Sequence, residues 1–284
     1  MYEDYMASLA ARGRGENTLR TYRQQLKLFY QWADDNERDL RPEDITSMDA
    51  VEYRDWLQEQ GKMPATINKA LQAISAYCAW LCEEGRLDHN PLARVSKVQE
   101  VQTAPKWLDK NEKYSLIRAA FKEKDIRNTA IIFTLLLAGL RATELIELTP
   151  DDVTLGERKG AILIRKGKGN KRRTVPIPKE LRECFEEYLP KRLSEQWLFG
   201  SKRGDKLTYI GLYQLVVSMG EKAKLNSLSP HTLRHTYCHD LVSRGVSIEV
   251  VAQLAGHSKL ETTMIYTRPG EKEMQAAVEK LIFS

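Results

Sequence analysis

The sequence predicts a mainly α-helical protein with a small antiparallel sheet (α+β), built as an N-terminal helical bundle followed by a mixed C-terminal domain. Apolar side chains recur at helical spacing through residues 1–95. Between residues 153 and 177, three short segments instead alternate apolar with polar residues or contain β-branched ones. Helical spacing then returns and continues almost to the end of the chain. The change of period, from helix to strand and back, is what predicts the mixed second domain.

The N-terminal bundle, residues 1–95, is predicted to consist of four helices. Apolar side chains at helical spacing predict these helices over residues 2–11, 18–33, 48–60 and 66–84. Pro42, Gly61 and Gly85 separate or end them. Residues 96–106 lack a periodic apolar face, and we therefore interpret them as an interdomain linker.

The second domain, residues 107–284, is predicted to begin with two helices around an apolar core. Sequence patterns predict helices over 109–122, 128–140, 179–189 and 208–224, with a short one after Arg141, and strands over 153–155, 161–165 and 172–177. The turn at 167–170 joins the last two strands as a hairpin. Residues 196–200 are a further candidate for a short extended piece.

Composition narrows the class of protein. The chain has 284 residues, 42% of them apolar, which is enough for one large core or two ordinary ones. It contains no run of eighteen apolar residues, and its first residues lack the pattern of a signal peptide. Its four cysteines have neither zinc-ligand spacing nor the pattern of a disulfide framework. We therefore expect a soluble, cytoplasmic protein without a membrane partner.

Charge divides unevenly along the chain. Residues 1–100 contain 13 basic and 17 acidic side chains, a net charge of 13 − 17 = −4. The whole chain has a net charge of +5, so residues 101–284 have +9. This excess predicts a polyanionic partner for the second half, although an ordinary solvated surface is the alternative.

The last sixty residues contain the most informative pattern. Ser229 and Pro230 begin a predicted helix that places His231 and Arg234, three residues apart, on the same face. A second helix, from residue 247 to 256, is predicted to end just before His257.

Ser258 and Glu261 have the spacing of a capping box, which predicts a third short helix with Tyr266 on it. Three successive helices would thus present a histidine, an arginine, a second histidine and a tyrosine.

Two further residues belong to the candidate site. Arg141 directly follows a predicted buried helix, so its charge must be paired or functional, and Glu144 is the obvious partner. Lys168 lies at the tip of the predicted hairpin, where residues 165–173 include six basic side chains. Taken singly, each residue also has an ordinary structural explanation. These are a solvated turn for Lys168, a capped-helix histidine for His231, a core aromatic for Tyr266, and a salt bridge to Asp240 or Glu249 for Arg234.

Four blocks in this order resemble the signature of the tyrosine recombinases, the lambda-integrase family. They are LRATEL at 140–145, GKG at 167–169, HTLRH at 231–235, and GH at 256–257 followed nine residues later by Tyr266. The small size and the hairpin are most similar to the Xer-type and transposon-resolvase branch. The resemblance implies the family's six active-site positions: Arg141, Lys168, His231, Arg234, His257 and Tyr266.

The resemblance also implies an activity, a domain organisation and partners. Residues 1–95 match the DNA-clamping core-binding domain, and 107–284 match the catalytic domain with a C-terminal exchange helix. The expected reaction is attack by Tyr266 on a phosphodiester to give a 3′-phosphotyrosyl intermediate, then strand exchange. His231 and the arginine pair are expected to activate the phenol, Lys168 to protonate the leaving 5′ oxygen, and His257 to hydrogen-bond the phosphate. Energy stored in that covalent bond removes the need for ATP or a metal cofactor. The expected partners are double-stranded DNA and a homo-tetramer on two DNA sites.

Other interpretations stay open at this point. A type IB topoisomerase uses a similar set of residues, and a catalytically silent DNA-binding module is a second alternative. His231, His235 and His239 recur every four residues, a spacing that can bind zinc on one helix face. The predicted C-terminal helix, residues 271–282, has an apolar stripe that could dock on its own domain or on a neighbouring protomer.

Overall fold

The chain folds into two compact units, Met1–Thr103 and Ala104–Ser284. The structure is a computed structural model, and it describes residues 2–100, 105–165, 172–257, 259–267 and 278–279. Lys168 at the predicted hairpin tip, residues 101–104 of the predicted linker and all but two residues of the predicted C-terminal helix lie outside that part. Within the described residues, no helix combines the length and the apolar character needed to cross a bilayer.

The first unit contains four α-helices, each within two residues of its predicted bounds. These are α1 (Glu3–Ala11), α2 (Glu16–Asp35), α3 (Ser47–Glu59) and α4 (Pro64–Glu83). A reciprocal capping box between Thr46 and Asp49 begins α3, and Pro64 opens α4, where its missing N–H costs no helical bond. The predicted helical bundle is confirmed.

The core of the first unit is dominated by aromatic side chains. Phe29 and Tyr53 are fully buried and meet edge to face, with ring centroids 5.1 Å apart. Tyr77 is fully buried as well and packs on the ring of Tyr5 at 5.3 Å. Such pairs add to the free energy of burial because the edge of one ring faces the electron-rich face of another. This unit therefore has a hydrophobic core of its own.

The second unit combines helices with a three-stranded sheet, as predicted. Its elements are α5 (Lys110–Glu123), α6 (Ile126–Ala138), α7 (Ala142–Ile146), β1 (Val153–Leu155), β2 (Gly160–Ile164), β3 (Arg173–Ile177), α8 (Lys179–Tyr188), α9 (Tyr209–Lys222), α10 (Pro230–Ser243), α11 (Ile248–Ala255) and α12 (Glu261–Met264). Helix α6 is buried nearly all round, which explains why its sequence is apolar on every face.

The sheet is antiparallel throughout, in the order β1-β2-β3. Ile162 on the central strand lies opposite Val153 on one side and Val175 on the other. Ile162, Ile164, Val175 and Ile177 are buried in the core that also contains α6, whereas the alternate residues face outward. One face of the sheet therefore packs on the core, and Arg173 lies at the start of β3.

Two local predictions differ from the structure. Of residues 196–200, only Gly200 forms a strand-like bridge, to Lys206. Helix α12 begins at Glu261 after Leu260, without a side-chain cap, and Tyr266 lies in a turn two residues beyond its end. Burial explains the shortened helix, because both Thr263 and Tyr266 turn into the core of this unit. The placement of Tyr266 on a helix is therefore wrong, while the predicted capping box involves Ser258, which lies outside the described residues.

Candidate active site

The C-terminus of α11 gathers three guanidinium groups. Arg173, Arg234 and Arg141 donate hydrogen bonds to the carbonyls of residues 254, 255 and 256, at 2.9, 2.5 and 2.5 Å respectively. The last carbonyls of a helix have no partner within the helix, and they form the negative end of its dipole. The end of α11 therefore positions and partly neutralises all three arginines without a carboxylate of its own.

Two glycines in the left-handed conformation make this arrangement possible. Gly139 ends α6 with φ +62° and Gly256 ends α11 with φ +67°. The Gly139 carbonyl accepts a second bond from Arg234, at 2.6 Å. A Cβ on Gly256 would lie 2.7 Å from Nη1 of Arg173, and one on Gly139 would lie 2.1 Å from the Tyr237 ring. Any side chain at either position would displace these groups as well as strain the backbone.

One buried carboxylate, Glu144, lies at the centre of the three arginines. It accepts two bonds from Arg173, at 2.8 and 2.7 Å, and one from Arg141 at 2.7 Å, while Nη1 of Arg234 lies 4.0 Å away. Burial opposes its ionisation, but the bonds from Arg173 and Arg141 outweigh it and lower the pKa of Glu144 to about 2. Three guanidiniums around one carboxylate leave two excess positive charges, which suits an anionic ligand.

Arg234 differs from its predicted alternative role. Its side chain is 2% exposed and bonds to backbone carbonyls, whereas Asp240 pairs with Lys113 at 2.5 Å. The alternative prediction, an ion pair between Arg234 and Asp240 or Glu249, is therefore wrong. Burial, followed by the charge of Arg141, lowers the pKa of Arg234 to about 10, so the guanidinium is still charged at neutral pH.

Tyr266 is 4% exposed, and the charge of Arg234 acts on its phenol. Its hydroxyl is 2.5 Å from Nδ1 of His235, and its ring is parallel to that of His257, with centroids 6.5 Å apart. Burial, followed by the neighbouring Cys238 thiol, raises the pKa of Tyr266 above its ordinary value. The phenol is therefore protonated at neutral pH and needs a proton acceptor before it can act as a nucleophile.

Of the two predicted histidines, His257 stacks on the ring of Tyr266, whereas His231 contacts His235. His231 is exposed, and its ring packs edge to face on that of His235, with centroids 4.4 Å apart. His257 is half-buried, and its Nδ1 is 2.8 Å from the hydroxyl of the fully buried Thr263. The structure thus brings together five of the six predicted site residues, and the sixth, Lys168, lies outside the described part of the chain.

Sequence reasoning missed two residues of this site. Arg173 was only one of six basic side chains in the hairpin, but it shares a face of β3 with the buried Val175 and Ile177. An arginine in register with buried strand positions signals a buried partner, here Glu144. His235 was interpreted as a packing residue or as one that supports a site residue, and His239 as a surface residue, although Nδ1 of His235 lies 2.5 Å from the Tyr266 hydroxyl.

The histidine repeat does not act as one group. His231 and His235 meet at their rings, but His239 is half-buried and stacks on Trp107 at 4.2 Å instead of facing solvent. Among the residues that the structure describes, no three His, Cys, Asp or Glu side chains are grouped so that they could hold a metal ion.

Acidification should destabilise the unit that contains the site. Burial, followed by the positive charge of Arg234 for His257 and by His231 and Arg234 for His235, lowers the pKa of each ring from 6.5 to about 4. As the pH falls, the two histidines of the unfolded chain take up protons below about pH 6.5, before the rings of the folded unit do. The free energy of unfolding is therefore highest above pH 6.5 and decreases toward pH 4. Each unit of pKa difference corresponds to about 1.4 kcal/mol, reduced here by partial exposure.

Urea unfolding between pH 7.5 and 4.5 measures this loss. Replacing both His235 and His257 by asparagine should flatten the dependence over the range from pH 6.5 to 5. An equally steep dependence in the double variant would assign the effect to other groups.

Both units of the chain are similar in sequence to known proteins. Residues 106–273 match the phage integrase family, and residues 2–85 match the phage integrase N-terminal SAM-like domain. Tyrosine recombinase XerA of Pyrococcus furiosus is 33% identical over 284 residues, which cover 98% of this chain and 92% of XerA.

Two solved structures share the fold. The XerH site-specific recombinase, in a post-cleavage complex with a palindromic difH substrate, has a TM-score of 0.78 at 24% identity and covers 95% of this chain and 81% of its own. A lambda integrase dimer bound to a COC′ core site has a TM-score of 0.76 at 18% identity, with 95% of both chains covered.

Proposed function

The chain belongs to the phage integrase family, as a tyrosine recombinase of the Xer-like branch, and we propose that it recombines specific DNA sites through attack by Tyr266. The observation that supports this best is the buried Tyr266 hydroxyl beside three guanidiniums that share a single carboxylate. Family membership does not favour the type IB topoisomerase alternative.

Arg141 and Arg234 form the phosphate clamp in this proposal. A phosphodiester under in-line attack develops negative charge on its non-bridging oxygens, and planar guanidiniums match that geometry. The cluster is preorganised, because Glu144 and the α11 carbonyls already hold the arginines in place. Little reorganisation is then required when the phosphate arrives, which is the main source of electrostatic catalysis.

The reaction divides into two transfers of the same phosphoryl group. The Tyr266 oxygen bonds to phosphorus as the bond to the 5′ oxygen breaks, which leaves a 3′-phosphotyrosyl link and a 5′ hydroxyl. Lys168 protonates the leaving oxygen and His257 hydrogen-bonds the phosphate, whereas removal of the Tyr266 proton was expected from His231 with the arginine pair. Attack by a 5′ hydroxyl from the partner site then reverses the bond changes and releases Tyr266. Each step exchanges one phosphodiester for another, so the energy of the bond is conserved.

Covalent trapping tests the proposed nucleophile. Footprinting on the DNA that flanks the gene identifies the site that the protein binds. A duplex that contains this site and a nick beside the scissile phosphate traps the covalent complex, because the freed end diffuses away. We refer to this substrate as the nicked duplex. Peptide mapping of the trapped complex should find the DNA on Tyr266. A trapped complex on another residue would contradict the proposal. Relaxation of supercoiled DNA without synapsis of two DNA sites would support the topoisomerase alternative instead.

Double-stranded DNA as the partner is supported by the relatives that were solved on DNA substrates. We further propose a homo-tetramer assembled on two sites, in the cytoplasm, with residues 271–282 of each protomer docked on the next. Dimer or cointegrate resolution and excision or integration would use the same chemistry.

A chain truncated after Gly270 tests the assembly. It should fold and bind one half-site, but lose cooperative binding of two and lose recombination, because the apolar stripe that joins protomers is removed. Gel-shift titration and a recombination assay measure the two effects. Full recombination by the truncated chain would show that the C-terminal segment serves only local packing.

Replacing Lys168 by alanine tests the general acid. Cleavage of an ordinary duplex should slow by about 10²–10⁴-fold, the usual contribution of a positioned proton donor. A duplex with sulfur at the 5′ bridging position has a leaving group that needs no proton, so it should restore the rate. An equal defect on both duplexes would assign Lys168 to the phosphate clamp.

A further inference from the structure

His235, whose Nδ1 lies within hydrogen-bond reach of the Tyr266 hydroxyl, is not among the six residues that the resemblance supplies. The hydroxyl of Tyr266 is 2.5 Å from Nδ1 of His235, whereas His231, one helical turn earlier on α10, is exposed and touches His235 with its ring. A general base must first lie within hydrogen-bond reach of the proton that it removes. His235 meets that condition in the structure as it stands.

The surroundings of His235 keep its ring neutral and fix its role in the hydrogen bond. The titratable and charged groups that face it are His231 and Arg234 on α10, Tyr266 after α12, and His257 at the end of α11. Each of these groups is neutral or positively charged at neutral pH, and burial adds to the cost of protonating the imidazole. A neutral imidazole beside a protonated phenol accepts the hydroxyl hydrogen at Nδ1 and holds its own proton on Nε2.

We propose that His235 is the general base that removes the proton from Tyr266 during DNA cleavage, an inference that rests on Tyr266 being the nucleophile. The O–H bond of Tyr266 breaks and an N–H bond forms at Nδ1 of His235, while the phenol oxygen bonds to phosphorus. The bond between phosphorus and the 5′ oxygen breaks, and that oxygen leaves with the proton from Lys168. In the reverse transfer, His235 returns its proton to the departing Tyr266.

The phosphate itself makes this base effective. Without DNA, the positive charge of Arg234 opposes protonation of the neighbouring His235. A phosphodiester in the clamp places negative charge against Arg234 and Arg141, which cancels that opposition. A bound scissile phosphate therefore makes His235 a better proton acceptor than it is in the protein without DNA.

Single-turnover cleavage of the nicked duplex tests His235. Glutamine at this position, His235→Gln, can still accept a hydrogen bond from Tyr266 but cannot take its proton. The variant should bind the nicked duplex normally and cleave it about 10²–10⁴-fold more slowly. The wild-type rate should rise with pH and level off once an imidazole is deprotonated. That step should be absent from His235→Gln and present in His231→Gln.

His239→Gln is the matched control, because it removes another histidine from α10 that contacts Trp107 instead of the site. It should cleave at the wild-type rate. The wild-type protein must also give the adduct on Tyr266; if it does not, the proposed function fails and not the role of His235. A wild-type adduct together with an unchanged rate or pH profile in His235→Gln would overturn the inference. Faster cleavage would also overturn it, by showing that His235 only holds Tyr266 away from DNA.

A second measurement removes the dependence on how well the variant folds. Incorporation of 3,5-difluorotyrosine at position 266 lowers the pKa of the phenol without touching His235. In the otherwise wild-type protein, the pH at which the cleavage rate levels off should be unchanged, because it is set by the imidazole. In His235→Gln, the more acidic phenol should recover most of the lost rate. A wild-type step that moves down with the phenol pKa would show that Tyr266 ionises without His235.

Discussion

Replacing Tyr266 by phenylalanine is expected to abolish the covalent protein–DNA complex and leave DNA binding intact. The substitution removes the only atom that bonds to phosphorus in the proposed reaction and keeps the ring that packs in the core with Cys238 and Val251. The unpaired Nδ1 of His235 should cost about 0.5–1.5 kcal/mol, the net worth of one hydrogen bond. The nicked duplex, resolved on a denaturing gel, measures the adduct, and a gel shift measures binding.

Tyr237→Phe provides the control, because Tyr237 is a second buried tyrosine in the same apolar cluster. It should still form the adduct, which separates loss of the nucleophile from loss of a buried hydroxyl. Adduct formation by Tyr266→Phe would remove Tyr266 from the mechanism, whatever its contacts.

Replacing Glu144 by glutamine should destabilise the second unit by about 3–5 kcal/mol and disable the clamp, because removing one member of a buried ion pair leaves uncompensated charge. The single amide oxygen can keep the bonds that one carboxylate oxygen accepts, but the NH₂ group would face the donors that now bond to the other oxygen. Arg141, Arg173 and Arg234 would then hold three positive charges around a neutral side chain. Urea unfolding and the cleavage rate of the nicked duplex measure both effects.

Glu147→Gln is the control from the opposite end of the same short helix, where an exposed carboxylate pairs with Lys206 at the surface. Exposed pairs are worth at most about 1 kcal/mol, so this variant should unfold close to wild type. Sulfate should raise the melting temperature of Glu144→Gln more than that of wild type, since a bound anion replaces the missing charge. Equal unfolding of the two glutamine variants would show that the arginines are held by the helix ends alone.

The organisation of the site explains why these two effects are expected to be the largest. The ends of α6 and α11 supply carbonyls that bind guanidiniums without neutralising them fully. Glu144 removes one charge of the three, which keeps the cluster stable without DNA and still attractive to phosphate. A second buried carboxylate would have cancelled the field that the proposed transition state requires.

Most of the fold could be predicted from the chain alone, because its signals are local. Helices and strands are specified by the spacing of apolar residues, by the proline and glycine residues that end helices, and by alternation along strands. Each of these signals involves residues only a few positions apart in the chain. The helix α12 was predicted wrongly because its bounds depend on burial of Thr263 and Tyr266, which no local pattern encodes.

The sequence by itself determined the fold class, the elements and the family, since ordered blocks at set spacings are properties of the chain. Only the tertiary structure decided how the site is held: it placed Arg173 on Glu144, three guanidiniums on one helix end, and His235 instead of His231 on the Tyr266 hydroxyl. The physical reason is that these contacts join residues far apart in the chain. Their partners depend on which surfaces α11 and the turn at Tyr266 bury, and a linear pattern contains no record of that packing.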